Sequence, residues 1–282
     1  MELHQPETIE QALALLAGDP GAMPLAGGAT LVAMLNAELI EPSALISLAA
    51  IKELRTIETL PDGALRLGAM VSHVDLAMEA RLSGGHNVLR EAAAQIGHPS
   101  VRNIGTLGGA VAHGDPSSDL PAALVAVDAV IEMAGPAGKR SIAAGEFFED
   151  YLTTALTEGE MVTAVRLPRL PENTAGHYEK FARVHGDYAT LSVALILAMK
   201  GGECSYVRVA LGSAGATPVR VPEAEARLLG SALDGGTVQD AAQLLSEASD
   251  PIDDVRGSAE YRLMLVPRLL QRALNAAEAC AP

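Results

Sequence analysis

Residues 96–121 read IGHPSVRNIGTLGGAVAHGDPSSDLP, and how this stretch is read decides the fold. Glycine and proline interrupt it throughout, which argues against a regular helix. Few apolar side chains are available to pack it. A loop of this length without secondary structure is usually functional. It can wrap an extended polar ligand with backbone N–H donors, and Asp119 can accept from sugar hydroxyls.

Upstream lies a second glycine cluster, Ala26-Gly27-Gly28-Ala29-Thr30. A short strand at 23–25 leads into it and a helix at 31–37 follows. Two glycines there let the backbone approach a ligand closely, and successive N–H groups before a helix can hold a phosphate. The same residues also suit an ordinary tight turn. Neither GxGxxG nor GxxxxGKS/T occurs, so Rossmann and P-loop readings fail.

The rest of the chain supplies alternating elements. A helix is expected from Pro6 to Leu16, stopped by Gly18, and a buried strand at 44–48. Pro61-Asp62-Gly63 predicts a hairpin between 55–60 and 64–68. Ser72 caps a helix through Arg81, and Asn87 starts another that ends near Gly97. A helix at 119–127 and strands at 130–133 and 161–167 follow. Beyond a linker at 168–171 come strands at 177–184, 191–199 and 206–213, then helices at 222–229, 237–248 and 258–279. Strands followed by helices predict an antiparallel sheet backed by helices on one face.

Composition narrows the function classes. The 282 residues are 49% hydrophobic and 20% charged, enough for a sizeable core. Aromatics are 3% with no tryptophan, so Ala, Leu and Val must fill that core. The formal net charge of −15 repels nucleic acid. Any bound anion must be held by backbone N–H groups more than by Lys or Arg. Cys204 and Cys280 form no CxxC pair, so zinc and iron–sulfur sites are unsupported, and the seven scattered histidines show no metal-ligand spacing. No apolar run approaches the roughly 20 residues that cross a bilayer, and no signal peptide is read at the start, so the cytoplasm is expected.

The A-G-G loop, then Val101-Arg102-Asn103-Ile104-Gly105-Thr106-Leu107-Gly108-Gly109, then Asp115-Pro116-Ser117-Ser118-Asp119-Leu120-Pro121 form an ordered set. Tyr178-Glu179-Lys180-Phe181-Ala182-Arg183 and Gly186-Asp187-Tyr188-Ala189 continue it. In order and spacing over nearly the full length, the chain resembles the FAD-binding medium subunits of molybdenum hydroxylases. That family holds carbon monoxide dehydrogenase medium subunits and xanthine dehydrogenase flavin subunits.

The resemblance implies an α+β chain. Two FAD-binding subdomains of the vanillyl-alcohol-oxidase (PCMH) type would span 1–54 and 55–172. A C-terminal α+β domain at 173–282 would carry a three-stranded antiparallel sheet and helices. Leu25, Ala26, Gly27, Gly28, Ala29, Thr30, Leu31 and Val32 would cradle the FAD diphosphate through backbone N–H groups. Thr106, Leu107, Gly108, Gly109 and Ala110 would form the second phosphate-contacting loop, and Asp119 would bind a ribityl or ribose hydroxyl. Ile96 would pack on the flavin ring and Val162 near the isoalloxazine or adenine.

The resemblance gives catalytic roles to two residues. Lys180 would sit by the pyrimidine edge and favour anionic reduced flavin. Tyr188 would lie against the isoalloxazine face near N5. Taken alone, Lys180 reads as a solvated strand residue, Tyr188 as core packing and Asp119 as a helix N-cap.

Ala29 and Ala110 depart from the residues that relatives often carry there. Ala110 removes a side-chain contact to FAD, and Ala29 leaves its loop without a histidine for covalent attachment, so non-covalent FAD is expected. The resemblance places the molybdenum cofactor in a large partner subunit and two 2Fe-2S clusters in a small one, in an (αβγ)2 assembly. Electrons would pass from the clusters through FAD to an external acceptor. The alternatives are a free-standing FAD-dependent oxidoreductase of the same superfold, or a protein that kept the fold and lost FAD.

Overall fold

Thr8, not Pro6, starts the first helix. Its side chain accepts from the Gln11 N–H at 3.2 Å, which leaves the residues before it free to form a strand. The structure, a computed structural model, describes residues 1–280. The last two residues of the expected third domain lie outside the described residues.

The chain opens with β1 (Glu2–His4), α1 (Ile9–Gly18), β2 (Met23–Leu25), α2 (Leu31–Asn36) and β3 (Ala44–Ser47). The strands form a parallel sheet in the order β1-β3-β2, with helical crossovers as parallel pairing requires. Ala44, Leu45 and Ile46 of the central strand are buried. β1 was not expected, because a three-residue polar edge strand carries no apolar period.

The middle of the chain holds β4 (Ile57–Thr59), β5 (Leu65–Gly68), α3 (His73–Met78), α4 (Asn87–Ala94), α5 (Pro99–Ile104), α6 (Leu107–His113) and α7 (Asp119–Ala126). It continues with β6 (Val130–Gly135), β7 (Gly138–Ala143), α8 (Ala144–Phe147), β8 (Phe148–Asp150), β9 (Thr153–Thr154) and β10 (Met161–Leu167). Five of these strands form an antiparallel sheet, β4-β5-β10-β6-β7, and β8 pairs with β9. Central β10 is buried at every position but Arg166, while the outer strand β7 is polar and exposed. The Pro61-Asp62-Gly63 hairpin forms as expected, with Gly63 at φ 82°. α3 begins after Ser72 as expected but stops at Met78, short of Arg81.

The C-terminal part is β11 (Ala175–Phe181), β12 (Leu191–Lys200), β13 (Glu203–Gly212), α9 (Pro222–Leu228), α10 (Gly235–Glu247) and α11 (Ala259–Cys280). Its strands form the expected three-stranded antiparallel sheet. The expectation of helices on one face needs correction, because both faces are covered. Leu191, Val193, Leu195 and Leu197 pack with the residues of α9, α10 and α11. The alternate residues Ala194 and Ile196 join the core of the first two sheets, where α4 and α7 lie against this sheet. The period of two thus reads as a continuous apolar run. Among the described residues, Tyr178 and Phe147 are the only aromatics in the set of largest fully buried side chains, so the core is aliphatic as expected. Among the described residues no helix is long and apolar enough to cross a membrane.

A histidine ties these layers together. His177 Nδ1 lies 2.9 Å from Glu91 of α4 and Nε2 lies 3.2 Å from Glu179, which also pairs with Arg272 of α11 at 2.6 Å. The Glu179 and Glu91 carboxylates raise the imidazole to about 9. A raised folded value gives stability that is complete below the unfolded value of 6.5 and is lost as pH rises through about 9. His177→Gln is therefore expected to remove a stability advantage of about 1 kcal/mol near pH 6, after solvent screening, and almost nothing near pH 10. Urea midpoints of both chains across that range measure it, and parallel pH profiles would contradict it.

Candidate functional site

The first glycine loop is shaped by two contacts. Gly28 has φ 78°, a left-handed conformation that a side chain strains. A Cβ on Gly27 would lie 1.6 Å from the Ile104 carbonyl oxygen, so the loop is seated against the end of α5. The N–H groups of Gly27, Gly28, Ala29, Thr30 and Leu31 donate to no acceptor among the described residues. Five successive free donors next to two glycines make a ready anion cradle.

The second stretch corrects the sequence reading, since residues 96–121 hold α5, α6 and the start of α7 rather than one irregular loop. Pro99 occupies the first turn of α5, and Thr106 caps α6 by accepting from the Gly109 N–H at 3.1 Å. The apolar anchors also exist, because Leu107, Val111 and Leu120 are fully buried. The donors around its glycine pair are already used. Leu107 N–H goes to Val71 O at 2.9 Å, Gly108 N–H to Ala69 O at 2.7 Å and Ala110 N–H to Thr106 O at 3.0 Å. Gly108 serves close packing, because its Cβ would lie 2.5 Å from the Ala69 Cβ. The two glycine pairs therefore differ, and only the first offers free donors.

Between them lies a cavity of about 670 Å³. Of the residues expected at the site, Ala26, Gly27, Gly28, Ala29, Thr30, Leu31, Ile96, Thr106, Gly108, Gly109, Ala110, Asp119, Val162 and Tyr188 line it. Leu25, Val32, Leu107 and Lys180 do not. Among the described residues no lysine or arginine lines the cavity, whereas Asp115, Asp119, Glu160 and Asp187 do. An anion here would meet backbone donors and no lysine or arginine. The departures Ala29 and Ala110 both face it, so neither offers a polar side chain.

Sequence reasoning missed several wall residues. His73 is 5% exposed, its Nδ1 has no partner among the described residues, and burial lowers the imidazole to about 4. Leu152, at φ 51°, sits in the turn between β8 and β9 and also lines the cavity. His73 had a signal in the Ser72 cap that precedes it, but nothing local marks Leu152.

Asp119, Tyr178 and Lys180 come together as one buried group. Tyr178 Oη donates to Asp119 at 2.8 Å, and Lys180 Nζ donates to Asp119 at 2.9 Å and to Gln95 O at 3.2 Å. The side chains of Lys180 and Asp119 are only 4% and 6% exposed. Burial pushes the Asp119 carboxyl up against the opposing pull of Lys180 and Tyr178, and pushes the Tyr178 hydroxyl well up. Lys180 is therefore no solvated strand residue, and it meets the cavity through Asp119. The N-cap of α7 is Ser118, with Asp119 in its first turn.

Tyr188 is 43% exposed rather than core packing, with the Arg256 guanidinium 5.0 Å from its ring centre. Gly186, at φ 85°, lets this loop touch Gly97, since a Cβ there would be 2.8 Å from Gly97 O. That contact ties the Tyr188 loop to the Ile96 end of α4.

Fold and cavity together define a chain built to hold an extended anionic ligand, and the comparisons with known proteins name its class. Residues 1–170 match the FAD-binding domain of molybdopterin dehydrogenases, and residues 176–277 the CO dehydrogenase flavoprotein C-terminal domain. The chain is 38% identical to the carbon monoxide dehydrogenase medium chain of Hydrogenophaga pseudoflava, covering 99% of this chain and 98% of that one. It is 34% identical to the 6-hydroxypseudooxynicotine dehydrogenase complex subunit alpha of Paenarthrobacter nicotinovorans, covering 95% and 91%. A reconstituted CO dehydrogenase from Oligotropha carboxidovorans superposes with TM-score 0.95 at 35% identity, covering 99% and 98%. The chain belongs to the FAD-binding medium-subunit family of molybdopterin dehydrogenases. Its fold is the PCMH-type FAD-binding fold with a C-terminal α+β domain, and it is an oxidoreductase flavoprotein subunit.

Proposed function

We propose that this chain carries FAD in a multi-subunit molybdenum hydroxylase, taking electrons from the 2Fe-2S clusters of a partner subunit and passing them to an external acceptor. The observation that carries this reading is the row of free N–H groups from Gly27 to Leu31 in the wall of a cavity with no lysine or arginine. A diphosphate needs many donors, and here the backbone supplies them without a fixed positive charge. Bound FAD supplies a junction between one-electron donors and a two-electron acceptor.

The chain's own residues bind and orient. Residues 1–54 and 55–172 hold the cofactor between them, and residues 173–282 close the site. The first glycine loop takes the diphosphate, and Thr106, Gly108, Gly109 and Ala110 form the facing wall. Asp119 accepts from a ribityl or ribose hydroxyl. Ile96, Val162 and Tyr188 pack on the rings and exclude water. With two cysteines in all, the chain cannot by itself supply a four-cysteine cluster set, and among the described residues no three potential metal ligands cluster. Electrons arrive by contact with a small iron–sulfur subunit beside a large molybdopterin subunit, in a cytoplasmic (αβγ)2 assembly. A closed twofold arrangement favours that doubling.

Two experiments on the purified chain test this. It should bind one FAD, and acid precipitation should leave all the yellow colour in the supernatant. Colour in the pellet would contradict non-covalent binding, and FMN would contradict the cofactor. Loaded with FAD, the chain alone should reduce no dye with carbon monoxide or organic substrates, and co-expression with its partners should restore turnover. Substrate-dependent dye reduction by the pure chain would favour the free-standing oxidoreductase.

A further inference from the structure

Asp119 lines the cavity, whereas Tyr178 and Lys180 stand behind it. The two are neighbours on one face of β11, and both donate to a carboxylate at the start of α7. A carboxylate offers about four acceptor directions. Lys180 and Tyr178 take two of them and leave the rest for a ligand.

The division of labour between the two donors differs. An ammonium on a flexible stem supplies charge and fixes no direction. A phenol on a rigid ring, 1% exposed, fixes direction. Phenylalanine would fill the same space without burying a hydroxyl, so the hydroxyl has a task beyond packing.

We propose that Tyr178 is a positioning residue of the cofactor site: its hydroxyl aims the Asp119 carboxylate at a hydroxyl or N–H donor of bound FAD. The proposal rests on the FAD reading above. The groups that act on Asp119 are Lys180 and Tyr178, and Tyr188 in the facing loop feels Asp115 and Asp119.

The test uses the full chain stripped of FAD. FAD affinity is followed by flavin fluorescence between acid and neutral pH, for wild type, Tyr178→Phe, Asp119→Asn and the double variant. Tyr178→Phe should weaken FAD about tenfold, the effect of one lost hydrogen bond to a charged group. Its acid limb should lie at higher pH than that of wild type, because a carboxylate that loses a donor protonates more readily. In the Asp119→Asn background the same change should do nothing further.

A second measurement needs no Tyr178 variant. The infrared carboxylate band of Asp119, assigned by its loss in Asp119→Asn, should shift when the wild-type chain takes up FAD. Wild-type affinity and pH profile in Tyr178→Phe, an undiminished effect in the Asp119→Asn background, or an unshifted band would each overturn the positioning role. Failure of the wild-type chain to take up FAD would overturn the cofactor reading itself.

Discussion

Lys180→Met is expected to cost about 3–5 kcal/mol of folding stability, because it leaves a buried carboxylate without its cation. The methionine fills the space of the lysine stem but cannot donate to Asp119 or to Gln95 O, the two acceptors that Lys180 now holds. Asp119, only 6% exposed in its side chain, must then protonate or draw in water. A carboxyl raised further in the folded state binds its proton more readily there than in the unfolded chain. The deficit should therefore be largest at neutral pH and shrink as pH falls. Adding Asp119→Asn should recover much of the loss, because the stranded charge is gone.

Urea midpoints at neutral and acid pH, for both single variants and the double, measure all three expectations. A loss under about 1 kcal/mol for Lys180→Met would mean that the pair is solvated. The same geometry revises the redox expectation. Lys180 meets the cavity as half of an ion pair, so its loss together with Asp119 protonation leaves the net charge unchanged. Asp119→Asn, which leaves the lysine unopposed, should raise the midpoint potential of bound flavin more than Lys180→Met lowers it.

The sequence made the long elements readable and hid the contacts between them. β10 and β12 were legible because their apolar runs are buried on both faces. β7 was not, because Lys139, Arg140 and Ser141 lie on an exposed outer strand that carries no apolar period. α6 was hidden by glycines whose helix cost is offset by tertiary seating, and α5, which holds none, by Pro99 at its start and the glycines that flank it. Gly108 lets α6 sit on Ala69, and Thr106 caps it. Those same partners consume the N–H groups that the glycine content alone would assign to a ligand. At the site, the glycine loops and Asp119 could be picked out by motif. Tyr178 stands in a motif as well, but its role was not legible, because its link to Asp119 joins positions 59 residues apart. His73 and Leu152 escaped for the same reason: only the folded cavity brings them beside the loops.

Gly27→Ala should be the most damaging single methyl that can be added to this site. A Cβ there would lie 1.6 Å from Ile104 O and 2.5 Å from the carbonyl carbon, both backbone atoms of the α5 end. Neither can swing aside as a side chain would, so the first loop or α5 must move. The expected cost is about 3 kcal/mol, at the upper end for overpacking. The free N–H row moves with the loop, so FAD binding should fall below detection. Gly28→Ala provides the contrast. Its Cβ would be 3.1 Å from a Val32 methyl, which can give, and the left-handed φ of 78° should cost about 1–2 kcal/mol. That variant should keep the loop seated and bind FAD measurably. Melting temperature and FAD titration of both variants decide the matter. If Gly27→Ala binds FAD as tightly as Gly28→Ala does, the seating of the first loop on Ile104 does not hold the cradle in place.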